Sequence, residues 1–196
     1  MPPEPSGRPG RLVVITGPSG VGKGTLIKAV LPRIPDTVLA KSATTRPMRA
    51  DEEQGREYYF LTPGEFEERV KKEDFIEHVG YGGNRYGTLK SEVEGHLNSG
   101  RNVMLEIEVE GARNIRRQMP EALLVFITPP SLEELRRRLA GRNTETEAEM
   151  KARLDRAREE LAAQPEFDYI VVNKDVDQAV DELERTIKAN LQGGQF

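Results

Sequence analysis

The sequence predicts an α/β fold: a parallel sheet covered on both faces by helices, interrupted by one mixed or antiparallel insertion. Three observations predict it. An apolar run, Leu12-Val13-Val14-Ile15-Thr16, enters a glycine-rich turn and then a helical pattern, Leu26 to Leu31. Beyond Lys90, strand-like and helix-like segments alternate. One of those segments, Ala122-Leu123-Leu124-Val125-Phe126-Ile127, is wholly apolar, as a parallel strand with both faces buried is.

Taken in order, Thr37 to Lys41 is a short strand, set off from the first helix by Pro32 and Pro35. Ser42 to Gly55 is irregular and polar, and Tyr58-Tyr59-Phe60-Leu61 reads as a strand. Thr62 or the turn after it caps a helix through Glu65, Phe66, Arg69 and Val70. Phe75–Val79 and Asn84–Thr88 read as strands around the glycine turn Gly80–Gly83. A helix is predicted over Lys90–Ser99 and stopped by Gly100, then a strand over Val103–Glu108 and a helix over Ala112–Met119. Pro129 and Pro130 close the apolar strand, and Ser131 with Glu134 forms a capping box for a helix with Leu132, Leu135 and Leu139 on one face, ended by Gly141. Thr144 and Glu147 start a long helix with the stripe Met150, Leu154, Ala157 and Leu161. The last strand is Tyr169–Asn173 and the last helix Asp177–Leu191.

Composition limits the function classes. The 196 residues are 36% hydrophobic and 32% charged, which suits one soluble domain with a core and a solvated surface. A formal charge of −4 gives no general attraction for nucleic acid. With no cysteine and two histidines, disulfides and thiolate or histidine-rich metal sites are not expected. Residues 1–10, rich in proline and glycine, read as a disordered tail and 192–196 as a frayed one. No apolar stretch is long enough to span a membrane, so a cytoplasmic enzyme without nucleic-acid or membrane partners is expected.

The chemistry starts at Gly17-Pro18-Ser19-Gly20-Val21-Gly22-Lys23-Gly24-Thr25. Strand, glycine-rich turn and helix stand in the order that a phosphate-binding loop needs. Glycines let successive backbone N–H groups turn inward, the helix start adds partial positive charge, and Lys23 supplies a full charge for β- and γ-phosphates. Gly24 stands where a hydroxyl residue commonly follows the lysine, with Thr25 one place later. In the insertion, Thr44-Thr45-Arg46-Pro47-Met48-Arg49 sets two arginines three apart, a pattern suited to a phosphate. Glu77 is a carboxylate in an apolar strand, and Tyr86-Gly87-Thr88 brings hydroxyls. Such a carboxylate satisfies guanine's N1–H and N2–H₂ but would be left unpaired by adenine.

These segments resemble the guanylate kinase family, from about Arg11 to Asn190. The resemblance rests on Gly17–Lys23, Thr44-Thr45-Arg46 with Arg49, Phe75-Ile76-Glu77, Tyr86-Gly87-Thr88, Thr128-Pro129-Pro130-Ser131, and Gly141-Arg142 with Thr144-Glu145-Thr146. It implies a P-loop NTPase three-layer fold with a core of residues 11–41, 91–133 and 155–191, a GMP-binding lobe over 42–90 and a helical lid over 134–154. It implies transfer of the γ-phosphoryl group of ATP to GMP, or dGMP, with Mg²⁺. The loop Gly17–Thr25 with Asn173 would bind ATP, and Lys23, Arg138, Arg142 and Arg153 would be catalytic. Ser42, Glu77 and Thr88 would read guanine, and Arg46, Arg49, Tyr58 and Tyr86 would clamp the GMP phosphate. Glu108 would lie near the guanine amino group, and Glu106 with Thr25 would attend the metal, through water. The chain departs from the family pattern at Gly24, at Asp51 in place of a glycine, and at Glu106, Glu108 and Glu110 in place of Asp, Asp and Gln.

Two other readings compete. A kinase for another nucleoside monophosphate is opposed by Glu77 with Ser42. A non-catalytic, peptide-binding module of the same fold would dispense with the loop lysine or the lid arginines, and this chain keeps both.

Overall fold

The computed structural model describes residues 9–140 and 147–192. The expected tails therefore fall largely outside the described residues, as do Gly141, Arg142 and the Thr144 cap. In chain order the elements are β1 (Leu12–Thr16), α1 (Lys23–Val30), β2 (Thr37–Leu39), β3 (Ser42–Thr44), β4 (Tyr59–Phe60), α2 (Pro63–Lys71), β5 (Phe75–Tyr81), β6 (Asn84–Leu89), α3 (Glu94–Asn98), β7 (Asn102–Glu106), α4 (Val109–Gln118), β8 (Leu123–Thr128), α5 (Leu132–Ala140), α6 (Glu147–Ala162), β9 (Tyr169–Val172) and α7 (Val176–Gln192). One sheet has the strand order β2-β7-β1-β8-β9, with β2–β7, β1–β8 and β8–β9 all parallel. The other has the order β4-β3-β6-β5, in which β3–β4 is parallel and β3–β6 and β5–β6 are antiparallel. The α/β class with a mixed insertion is thus what the sequence predicts.

The chain forms two compact units. One comprises Val13–Pro35, Glu106–Val109 and the segment from Leu123 onward. Every residue of β1 and β8 is buried. Helix α1 buries Leu26, Ile27 and Val30, and α7 buries Ala179, Val180, Leu183 and Ile187, each set a single stripe. Fully burying each of the Val, Leu and Ile side chains among them is worth about 1.5–3 kcal/mol. Helices α5 and α6 pack through Leu135, Leu139 and Ala157, with Met150 and Leu154 at the margin. The rule that an apolar run marks a parallel strand buried on both faces fails at β9, where Tyr169, Ile170 and Val172 are exposed because the strand is the sheet's edge.

The other unit comprises Asp36–Leu105 and Glu110–Ala122, with the chain up to Leu12. Its small core is Ala43, Phe66, Phe75 and Leu89. The Phe66 and Phe75 rings stack with centroids 4.5 Å apart. Helix α2 starts with a complete capping box, in which Glu65 N–H donates to Thr62 Oγ1 and Thr62 N–H to the Glu65 carboxylate.

Four local expectations are corrected. Ser42–Thr44 is a strand and not irregular, because it pairs with Tyr86–Thr88. The helix expected over Lys90–Ser99 is a 3₁₀ turn, Lys90–Glu92, then α3, broken at the buried Val93 with φ −114°. Strand β7 stops at Glu106, so Glu108 lies beyond it, next to an α4 that begins at Val109. The Ser131–Glu134 box is half made: Glu134 N–H donates to Ser131 Oγ, but the Glu134 carboxylate is taken by Arg137 and Arg138.

Candidate active site

Strand β1 delivers the chain to the glycine loop. Gly17 has φ 143°, and a Cβ there would lie 2.2 Å from Ile127 O, so no larger residue fits. Gly22 is the N-cap of α1 with φ 98°, and no side chain caps that end. The first turn of α1 also carries no acidic residue, leaving its N–H groups and partial positive charge available to an anion. Lys23 is 9% exposed, and its Nζ donates to Gly17 O at 2.6 Å and Pro18 O at 3.4 Å. The lysine is thus folded back over the loop that it would serve.

Three side chains from later in the chain converge there. Arg138 on α5 donates from NH1 to Val21 O at 3.3 Å and from NH2 to Asn173 O at 2.9 Å. Asn173, buried after β9, donates from Nδ2 to the same Val21 carbonyl at 2.7 Å. Arg153 on α6 donates to Ser19 Oγ at 3.3 Å. Glu134 holds Arg138 by a 2.8 Å bond to Nε and also pairs with Arg137. Those two guanidinium groups hold the Glu134 carboxyl at about 2, well below the ordinary carboxylate range. Sequence reasoning read Glu134 only as a cap; its spacing of four from Arg138 was the available signal.

Glu106 ends β7 beside the loop. A Cβ at Gly24 would lie 3.8 Å and 3.9 Å from its two carboxylate oxygens, so glycine leaves the space over α1 to that carboxylate. The residue is exposed to water, with protein atoms around its carboxylate. Burial pushes its carboxyl up, Lys23 opposes that shift and Glu108 reinforces it. Glu108 Oε2 is buried and, among the described residues, has no hydrogen-bond partner. Glu110 instead pairs with Arg113 at 3.1 Å. Thr25 is exposed on the first turn of α1.

In the other unit, a row of side chains crosses the four-stranded sheet. Ser42 of β3 faces Thr88 of β6, and Thr88 faces Glu77 of β5. The register of β5 slips between Phe75 and Glu77, a bulge that sets Glu77 and not Ile76 opposite Thr88. Thr88 Oγ1 donates to Glu77 Oε1 at 2.8 Å, and the two residues are 1% and 4% exposed. The base-reading residues expected from sequence are therefore neighbours.

Beside that row lies a cationic and aromatic cluster. Arg46 sits over the rings of Tyr58 and Phe60 at 5.5 Å and 5.6 Å. Tyr86 meets Tyr58 edge-on at 6.3 Å and Tyr81 at 6.4 Å. Arg46 NH2 donates to Glu52 Oε1 at 2.6 Å, and Arg49 N–H to Glu52 Oε2 at 2.8 Å. Glu52 thus bridges the two arginine positions while the Arg49 residue stays exposed. Neither Glu52, in a loop, nor Tyr81, at the end of β5, was given a role from sequence, since neither place carries a periodic signal.

The guanylate kinase family model matches residues 9–190. The chain belongs to the guanylate kinase family. The guanylate kinase of Synechococcus sp. (strain CC9902) is 53% identical over 175 residues, covering 89% of this chain and 94% of that protein. The guanylate kinase of Rubrobacter xylanophilus is 48% identical over 187 residues, covering 95% and 98%. Among solved structures, guanylate kinase from Anaplasma phagocytophilum superposes with a TM-score of 0.81 at 30% identity, over 95% of this chain and 89% of that one. Phosphoryl transfer from ATP to GMP is the reaction of this family.

Proposed function

We propose that this chain is a guanylate kinase that binds ATP at the Gly17–Thr25 loop and reads GMP with the Ser42–Thr88–Glu77 row. The observation that carries the reading is the buried Glu77 carboxylate held by Thr88. A buried carboxylate is costly unless it is paired. Guanine pairs it through two N–H donors, and adenine presents none there. Arg46, Arg49, Tyr58 and Tyr86 would hold the GMP phosphate; Arg46 exchanges its Glu52 partner for phosphate oxygens, which accept the same planar guanidinium. Glu108 would offer its orphan oxygen to the guanine amino group.

The attacking atom is an oxygen of the GMP phosphate, already ionised at neutral pH, so no general base is needed. Catalysis then consists of alignment and charge stabilisation. Lys23 moves from loop carbonyls to the β- and γ-phosphates. Arg138 and Arg153 lie against loop atoms, from which they would reach the charge that develops on the transferred group. Arg142 joins them by family resemblance and lies outside the described residues. Residues 42–90 and 134–154 would act as the GMP lobe and the lid, closing to exclude water so that ATP is not hydrolysed.

A nucleotide kinase of this family works with a divalent metal, here Mg²⁺. The donor set fits an ion that keeps most of its water and phosphate ligands: one carboxylate, Glu106, beside a position where glycine leaves room, with the Thr25 hydroxyl nearby in sequence. Among the described residues no group of three carboxylate or histidine side chains forms a protein cage. When bound, the metal neutralises charge on the triphosphate.

No helix among the described residues is long and apolar enough to cross a membrane, and a cytoplasmic setting fits these substrates. The test is ATP-dependent conversion of GMP to GDP, with Lys23→Met as the companion. Removing the ammonium should lower turnover by about 10²-fold or more with the fold intact; unchanged turnover would remove Lys23 from the mechanism.

A further inference from the structure

Strand β5 is an edge of the four-stranded sheet. The Glu77 carbonyl faces β6, where it lies 2.9 Å from the Cβ position of Gly87. In an antiparallel strand the carbonyls on either side then face the free edge. They are met there by side-chain amides of α4: Gln118 Nε2 donates to Ile76 O at 2.9 Å and Asn114 Nδ2 to His78 O at 3.5 Å. Four residues along a helix rise about 6 Å, and two along a strand about 6.6 Å, so one turn of α4 matches the carbonyl spacing. Arg117 donates to Asn114 Oδ1, which turns the Asn114 NH₂ toward the strand. An open cavity of about 520 Å³ lies along this edge, lined by Phe75, Ile76, His78, Lys90, Asn114 and Gln118 among others. Along this edge the side-chain amides of α4 donate to the carbonyls on either side of Glu77.

We propose that Asn114 and Gln118 are positioning residues for guanine recognition: they hold the two peptide carbonyls that flank Glu77, keeping the bulged strand in the register that aims the Glu77 carboxylate. The inference rests on Glu77 being the base-reading group.

The test uses the full chain and steady-state kinetics with GMP, ATP and inosine monophosphate, which lacks the exocyclic amino group. The variants are Asn114→Ala with Gln118→Ala, and Gln118→Met alone, each also combined with Glu77→Gln. Loosening the strand should raise KM for GMP about tenfold, as small misplacements do, with kcat and KM for ATP within about twofold. The preference for GMP over inosine monophosphate should shrink, because the lost alignment concerns a two-pronged contact. With Glu77→Gln already present, the amide changes should add little. If Glu77→Gln raises KM for GMP and the amide variants do not, the positioning role is wrong and the base-reading role stands. If Glu77→Gln itself leaves GMP use unchanged, both fall. Equal losses for GMP and inosine monophosphate, with lower kcat and melting temperature, would show the amides to be general scaffolding and overturn the inference.

Discussion

Thr88 Oγ1 donates a 2.8 Å hydrogen bond to Glu77 Oε1, and both side chains are buried. This bond fixes the carboxylate within the row that crosses the sheet. Glu77→Gln keeps the shape and removes the charge, so kcat/KM for GMP should fall by about 2–4 kcal/mol, while KM for ATP stays near its original value. Thr88→Val leaves Oε1 without this donor and should cost about 1–3 kcal/mol in the same quantity. Steady-state kinetics with each substrate varied separately checks both, and equal losses for the two nucleotides would make the pair structural.

Arg138 bridges the Val21 and Asn173 carbonyls and is held by Glu134. Arg138→Met should reduce kcat by about 10²–10³, the usual loss when one preorganised donor to developing charge is removed. Glu134→Gln should reduce it less, since the guanidinium remains but loses its orienting charge. The Glu134 carboxyl sits at about 2, so the pairing is present above the ordinary carboxylate value near 4.3 and is lost as pH falls toward 2. A carboxyl-resolved NMR titration would read that midpoint directly, and a midpoint near 4 would deny the ion pairs.

Gly22→Ala should damage both the fold and ATP binding. The position has φ 98°, and its Cβ would stand 2.6 Å from Asn173 Nδ2. The backbone strain alone is about 1–3 kcal/mol. Denaturant unfolding should register at least that loss, with a higher KM for ATP. Stability and KM matching those of the original chain would mean that the loop can relax in a way this geometry forbids.

Glu106 carries a raised carboxyl because burial and Glu108 outweigh Lys23. A raised folded value contributes stability below the unfolded value, and that contribution is lost as pH rises through the folded one. At pH 7 the charged group is therefore a burden that Glu106→Gln removes. The variant should melt at the same temperature or higher at pH 7, lose that advantage below about pH 4, and turn over more slowly with a weaker response to Mg²⁺. A variant that melts lower at pH 7 would contradict this account of the carboxylate.

Much of this was legible in the sequence, and the exceptions have physical reasons. The loop, Lys23 and α1 follow from glycine placement and an apolar approach strand. Thr62 caps α2 as expected, and its box with Glu65 formed completely. The Ser131–Glu134 box did not, because Arg137 and Arg138 offer that carboxylate full charges at three and four residues. Ser42–Thr44 has no strand pattern of its own and becomes one by pairing with Tyr86–Thr88. Glu77 stood out as a lone carboxylate in an apolar strand. The bulge that aims it, the amides that brace it and the Arg46–Glu52 pair are all long-range or irregular, and no local periodicity encodes them.

The central claim is that a carboxylate-and-hydroxyl row selects guanine as the phosphoryl acceptor. It is tested most directly by the initial rate of ADP formation from ATP with GMP, AMP and dTMP supplied in turn under one set of conditions. The account predicts rapid turnover with GMP and a kcat/KM for AMP and dTMP lower by about 10³-fold or more, as expected where a buried polar group is left unpaired. Comparable turnover with AMP or dTMP would contradict it.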